Sequence, residues 1–75
     1  MTSQSVPMPD LGAIGARIRG LRGKMRQQDL APQLGVSQGQ LSKVESGRMA
    51  PTVEMLIRVA TVFGKSLDWI VLGKK

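Results

Sequence analysis

Apolar side chains return along this chain at spacings of three and four, the period of a helix with one buried face, and nowhere alternate as they would in a strand. After Asp10, a good N-cap, Leu11, Ile14, Ile18 and Leu21 mark the inner face of a first helix, with Arg17, Arg19 and Arg22 expected on the opposite face. Gly12, Gly15 and Gly20 each cost that helix about 1 kcal/mol relative to Ala, so packing must hold it more than propensity. Gly23 and Lys24 make a short connection. A second segment follows over Gln27 to Leu34, with Leu30, Ala31 and Leu34 inward and Gly35 placed as the glycine that ends it. Pro32 lies inside this segment, where it removes the bond to the Gln28 carbonyl and predicts an irregular turn or a bend.

Ser37, followed three residues on by Gln40, has the form of a capping box. It opens a third helix, 37–46, with Leu41 and Val44 inward and a stop at Gly47. Only Gly35 and Val36 separate this helix from the second, so the pair must turn sharply on itself, as in a helix-turn-helix. Thr52 caps a fourth helix whose apolar stripe is expected from Val53, Leu56, Val59, Ala60 and Phe63, up to Gly64. Ser66 caps a last short helix, Leu67 to Leu72. Trp69 and Phe63 lie on these stripes and read as core or interface, while Ile57, Val62 and Val71 fall off the inner faces. The pattern therefore predicts an all-α fold of five helices over residues 10–75, preceded by a polar, proline-containing tail over 1–9.

A chain of 75 residues has room for one domain and one small core. With no His, no Cys and no Tyr it lacks the usual zinc ligands, the thiolate nucleophile and the commonest general base, and no carboxylate pair or nucleophile elbow is visible. Neither an enzyme, a metal site nor a cofactor is expected. No apolar run is long enough for a membrane span and the N-terminus carries no signal pattern, which predicts a cytoplasmic protein. A basic amphipathic membrane binder is disfavoured because the apolar residues are shared among separately capped helices. Eleven Lys and Arg against five Asp and Glu give a net charge of +6, and Arg17, Arg19, Arg22, Lys24 and Arg26 crowd together early in the chain. Polyanions are the expected partners.

The run RQQDLAPQLGVSQGQLSKVESGRMAP resembles the lambda-repressor-like, Cro-type (XRE) helix-turn-helix family. It carries the pattern Gln-x-x-Leu-Ala, then Gly-Val-Ser in the turn, then Glu-x-Gly with a basic residue and a nearby Pro. GARIRGLR is similar to that family's first helix, and PTVEMLIRVATVFGKSLDWIVLG to its fourth and fifth. The resemblance implies a five-helix DNA-binding domain with a central helix-turn-helix, acting as a transcriptional regulator. A repressor binding double-stranded DNA at a palindromic operator as a homodimer is the leading expectation.

Helix three fits a major groove, since its outward residues are polar and none is a bulky apolar group. Gln38 is expected to read adenine, Gly39 to let the backbone approach and leave space for a thymine methyl, and Ser42 and Lys43 to reach further bases. Gln27 is implied as a phosphate contact that also buttresses the recognition residue beside it. Arg26, Ser37, Gln40 and Arg48 are further phosphate candidates, with capping the plainer role for Ser37 and Gln40 and solvation for Arg48. The family's ion pair between its first and third helices maps onto Arg22 and Glu45. An antitoxin-like or coactivator-like module that binds a protein partner on the same fold is the alternative.

Overall fold

The computed structural model describes residues 9–74, so the tail expected over 1–9 lies, apart from Pro9, outside the described residues. Five helices follow in order: α1 (Leu11–Arg22), α2 (Gln27–Gln33), α3 (Gln38–Glu45), α4 (Val53–Phe63) and α5 (Leu67–Leu72), with no strand among the described residues. Four of them start where a side-chain oxygen meets an orphan N–H. Asp10 Oδ1 accepts from Ala13 N, Ser37 Oγ from Gln40 N, Thr52 Oγ1 from Met55 N and Ser66 Oγ from Trp69 N, each at 3.1 Å. At α3 the capping box is complete, because the Ser37 N–H also donates to Gln40 Oε1 at 2.9 Å.

α2 remains helical through Pro32, which stands one residue from its end on the exposed side. The helix has almost finished there, so only one bond is lost. The chain then leaves through a Schellman turn in which Gly35 N donates to Pro32 O at 3.2 Å and Val36 N to Ala31 O at 3.1 Å. That turn needs the left-handed conformation of Gly35, φ +71°, and sends the chain sharply into α3.

Ile14, Ile18, Leu30, Ala31, Leu34, Leu41, Val44, Met55, Val59 and Ile70 form one buried cluster, to which every helix contributes. Burying a side chain such as Leu41 in full contributes about 2 kcal/mol. α1 is the central element, packing against both α3 and α5, while α2 packs on α3 and α4 on α5. Two details of the expected pattern need correction. Val53 is 73% exposed and Met55 takes the buried place, because the helix that starts at Thr52 has its inner stripe centred on Met55 and Val59, and Val53 falls well to one side. On α1, only Arg19 of the three arginines is fully exposed. Arg17 turns to α5 and Arg22 to α3, each carrying its charge across a helix junction.

A candidate nucleic-acid interface on α3

α3 sits with Leu41 and Val44 in the core and its other side turned outward. Gln38, Gly39, Gln40 and Lys43 are exposed and Ser42 is half-buried, so the expected base-reading residues do share one polar surface. Gly39 faces open space; a Cβ placed there would approach only Ser37 Oγ, at 3.9 Å. Among the described residues Gln38 and Lys43 make no side-chain hydrogen bond, and their polar ends are turned outward.

Behind that surface lies a node built on Glu45, whose side chain is 3% exposed. Its carboxylate accepts from Arg22 Nε at 2.7 Å, from Arg22 Nη2 at 3.0 Å and from Gln27 Nε2 at 2.9 Å. Arg22 adds a bond from Nη1 to the Met25 carbonyl at 2.7 Å, so one guanidinium joins α1, the following loop and α3. The paired geometry matches the two-pronged fit of guanidinium to carboxylate. Hydrogen bonding to Glu45 raises the Arg22 pKa above the ordinary arginine value, aided by the carboxylate charge and opposed by burial. The Gln27 side chain thus braces Glu45 and not Gln38, and one N–H of its amide remains for an anion.

The other phosphate candidates occupy the two ends of α3 and the start of α2. Ser37 and Gln40 are engaged with each other in the capping box, which leaves the Ser37 hydroxyl hydrogen and the Gln40 amide N–H groups available. Arg26, at the N-cap position of α2, makes no cap bond and lies 3.7 Å from Asp29 in an exposed pair. Arg48 donates from Nε to Ser46 Oγ at 3.0 Å, while the Ser46 hydroxyl donates to the Lys43 carbonyl at 3.1 Å. That short chain holds Arg48 beside the C-terminal end of α3.

Sequence reasoning missed the residue that lets α3 approach α1. A Cβ on Gly15 would lie 2.6 Å from the Glu45 carbonyl oxygen and closer still to that of Val44, so the two helix backbones meet at this glycine. The available signal was an interior helix glycine on the side of the apolar stripe that faces Arg22. Among the described residues no buried side-chain polar atom lacks a partner, so the interface rests on a fully satisfied support. No described helix is long and apolar enough to cross a membrane.

Comparison with known proteins places this geometry. A helix-turn-helix family model matches residues 16–70. The P22 c2 repressor, solved in complex with a synthetic operator, is 32% identical over 81% of this chain and 96% of its own, with a TM-score of 0.75. The restriction-modification controller protein C.AhdI from Aeromonas hydrophila is 25% identical, covering 81% of this chain and 91% of its own at a TM-score of 0.71. The clp gene regulator ClgR from Corynebacterium glutamicum is 32% identical, covering 85% and 69% respectively at a TM-score of 0.73. No curated protein matches the chain in sequence. Its family match, its five helices and its turn between α2 and α3 agree, and the chain belongs to the XRE-type, lambda-repressor-like helix-turn-helix family.

Proposed function

We propose that this protein is a DNA-binding transcriptional regulator, a repressor that binds a palindromic operator as a homodimer with helix 37–46 in the major groove. The observation that carries this reading is the α3 surface. Gln38, Gly39, Ser42 and Lys43 stand together on it with no large apolar side chain, on a helix braced from behind by Glu45, Arg22 and Gln27. The net charge of +6 supports a polyanionic partner, as does the operator bound to the similar P22 c2 repressor.

In this reading residues 10–75 are the DNA-binding domain. Gln38 pairs with adenine N6 and N7, Lys43 reaches guanine or a phosphate, Ser42 contacts an adjoining base edge, and Gly39 admits the backbone and a thymine methyl. Gln27, Arg26, Ser37, Gln40 and Arg48 hold phosphates on either side and fix the register. A single module of this size makes few base contacts, so affinity calls for a second copy and a twofold site. Exposed apolar side chains on α4 and α5, among them Ile57, Val62, Leu67 and Leu72, supply surface for that pairing.

Selection from pooled random duplexes, sequenced at two salt concentrations, tests the reading with the native protein and the double variant Gln38→Ala, Lys43→Ala. The expected result is an enriched twofold-symmetric site that the double variant loses. If no site is enriched and the variant binds equally well, α3 is scaffold, and an antitoxin-like or coactivator-like role through a protein partner takes its place.

A further inference from the structure

A second surface lies on the far side of α1. Ala16, Arg17, Gly20 and Leu21 of α1, with Lys65 and Trp69 at α5, line an open groove of about 430 Å³. Each residue turns a helix by about 100°, so Gly15 and Arg22, which face α3, lie within about 20° of each other on α1. Ala16, Gly20 and Arg17 fall about 100 to 160° away from Gly15 by the same count. The groove therefore opens away from α3.

Its chemistry is apolar walls beside two cations, of which Arg17 is pinned and Lys65 is exposed. Arg17 donates from Nη1 to the Ile70 and Val71 carbonyls at 3.0 and 3.3 Å, which pins the guanidinium against the C-terminal end of α5. Lys65 Nζ stands 4.9 Å from the centroid of the Trp69 ring. Neither cation has a carboxylate partner among the described residues. Four of the chain's five acids are otherwise engaged: Asp10 caps α1, while Asp29, Glu45 and Glu54 pair with Arg26, Arg22 and Arg58. Asp68, on the first turn of α5, makes no ion pair with either groove cation.

We propose that this groove between α1 and α5 docks an acidic segment of a partner protein, with an apolar side chain seated against Trp69, Leu21 and Ala16 and carboxylates answering Arg17 and Lys65. Charge complementarity selects the occupant. A second copy of this chain is cationic overall and has no free acidic cluster to offer. The volume is within the range of small-molecule sites, about 300 to 1,000 Å³, but a groove open along one side cannot enclose most of a small ligand as such sites do. A peptide needs only one anchored side chain and its flanking charges. Because the groove faces away from α3, the segment binds while α3 holds DNA; that clause alone rests on the DNA-binding reading.

Trp69 is the only Trp in the chain, so its emission reports occupancy of the groove directly. The probe is an eight-residue peptide alternating pairs of Glu with Leu, run beside analogues in which Glu is replaced by Gln or by Lys. Native protein should show a saturable change in emission with the Glu peptide, at least about fivefold weaker binding of the Gln peptide, and no saturation with the Lys peptide. Gly20→Glu and Gly20→Lys test the site by charge at similar bulk, since a Cβ there meets nothing within 4 Å. Both should melt no lower than native, Gly20→Glu should weaken the Glu peptide by about fivefold or more, and Gly20→Lys should keep or tighten it. Equal binding of the three peptides, no saturation by the Glu peptide up to about 2 mM, or a Gly20→Glu variant that binds like native would each overturn the proposal. A duplex from the selection should leave peptide affinity within about threefold. Displacement of the peptide by duplex would make the groove a nucleic-acid contact instead.

Discussion

Replacing Gly15 by Ala and replacing Gly20 by Ala are the same chemical change in the same helix, and they should move stability in opposite directions. Each gives α1 about 1 kcal/mol of helix propensity, and each restricts the unfolded chain to the same extent. At Gly20 nothing lies within 4 Å of the new methyl, so that gain stands alone. At Gly15 the methyl would be 2.6 Å from the Glu45 carbonyl oxygen and closer still to that of Val44, where ordinary contact begins near 3.4 Å. Both obstacles are backbone, so α1 and α3 must separate by about 1 Å, a gap at which paired atoms forfeit about a quarter to a half of their dispersion energy. The separation also stretches the 2.7 Å bond between Arg22 and Glu45. Overpacking of this kind costs about 3 kcal/mol at the top of its usual range, which leaves a net loss of about 2 kcal/mol. In a domain of this size each kcal/mol moves the midpoint by about 4 to 8 °C, so Gly15→Ala should melt about 8 to 16 °C below native and Gly20→Ala about 4 to 8 °C above it. Urea unfolding followed by helical circular dichroism, with midpoint and slope fitted together, gives the free energies. Because the unfolded-state effect is shared, the difference between the two variants isolates the contact with α3. Equal stability of the two, within about 0.5 kcal/mol, would refute the close approach of α1 and α3.

Glu45→Gln should destabilise the protein by about 2 kcal/mol in thermal melts, below the 3 to 5 kcal/mol of a fully buried pair because Arg22 keeps 15% of its side-chain exposure. Since the Arg22 pKa is raised, its charge stabilises the fold fully below the ordinary arginine value and is lost only as pH rises through the raised one. The difference between native and Glu45→Gln should therefore stay flat from about pH 7 to pH 10, and a decline across that window would contradict the pairing. Ser37→Ala should cost about 1 kcal/mol in urea unfolding, by freeing the Gln40 N–H at the start of α3. Arg48→Ala should lower the slope of log affinity against log salt by about one phosphate while leaving the selected sequence unchanged, as binding across a salt series would show.

Helix starts were legible in the sequence because capping is local chemistry. Asp10, Ser37, Thr52 and Ser66 each satisfy an N–H three residues on, and a reader needs only a few residues to see it. The tight turn was legible for the same reason, since Gly35 follows its helix directly. What periodicity could not supply was the facing of residues at the edge of a stripe. Val53 and Met55 are both apolar, and the choice between them depends on where α4 meets α5 and the core. Arg17 falls on the solvent side of the α1 pattern, yet its long stem lets the guanidinium travel to α5. The pairing of Arg22 with Glu45, 23 residues apart, was implied by the family resemblance and by no local spacing. Gln27, implied as a phosphate contact by the resemblance, also donates to the carboxylate of Glu45, a contact that only the assembled fold creates.

An isolated helix of eight residues has little stability in water, so α3 can present a defined surface only by borrowing rigidity. The sources are distinct and all lie behind or at the ends of the helix. Leu41 and Val44 anchor it in the core, Ser37 and Gln40 close its first turn, Gly15 lets α1 pack directly on its last turn, and Arg22 with Gln27 fixes Glu45. None of these groups is Gln38 or Lys43. Gln38, Gly39 and Lys43 thus take no part in holding the helix, although the exposed Ser37 and Gln40 do, so these three are free to change with little effect on the fold. Exposed substitutions away from such features usually alter stability by less than about 0.5 kcal/mol. In the proposed reading, such a division would allow one scaffold to be fitted to different base sequences by replacing Gln38, Gly39, Ser42 and Lys43 alone. By the same reasoning α1, which touches no base in this reading, should tolerate little at Gly15 and Arg22 while remaining open to change at Gly20.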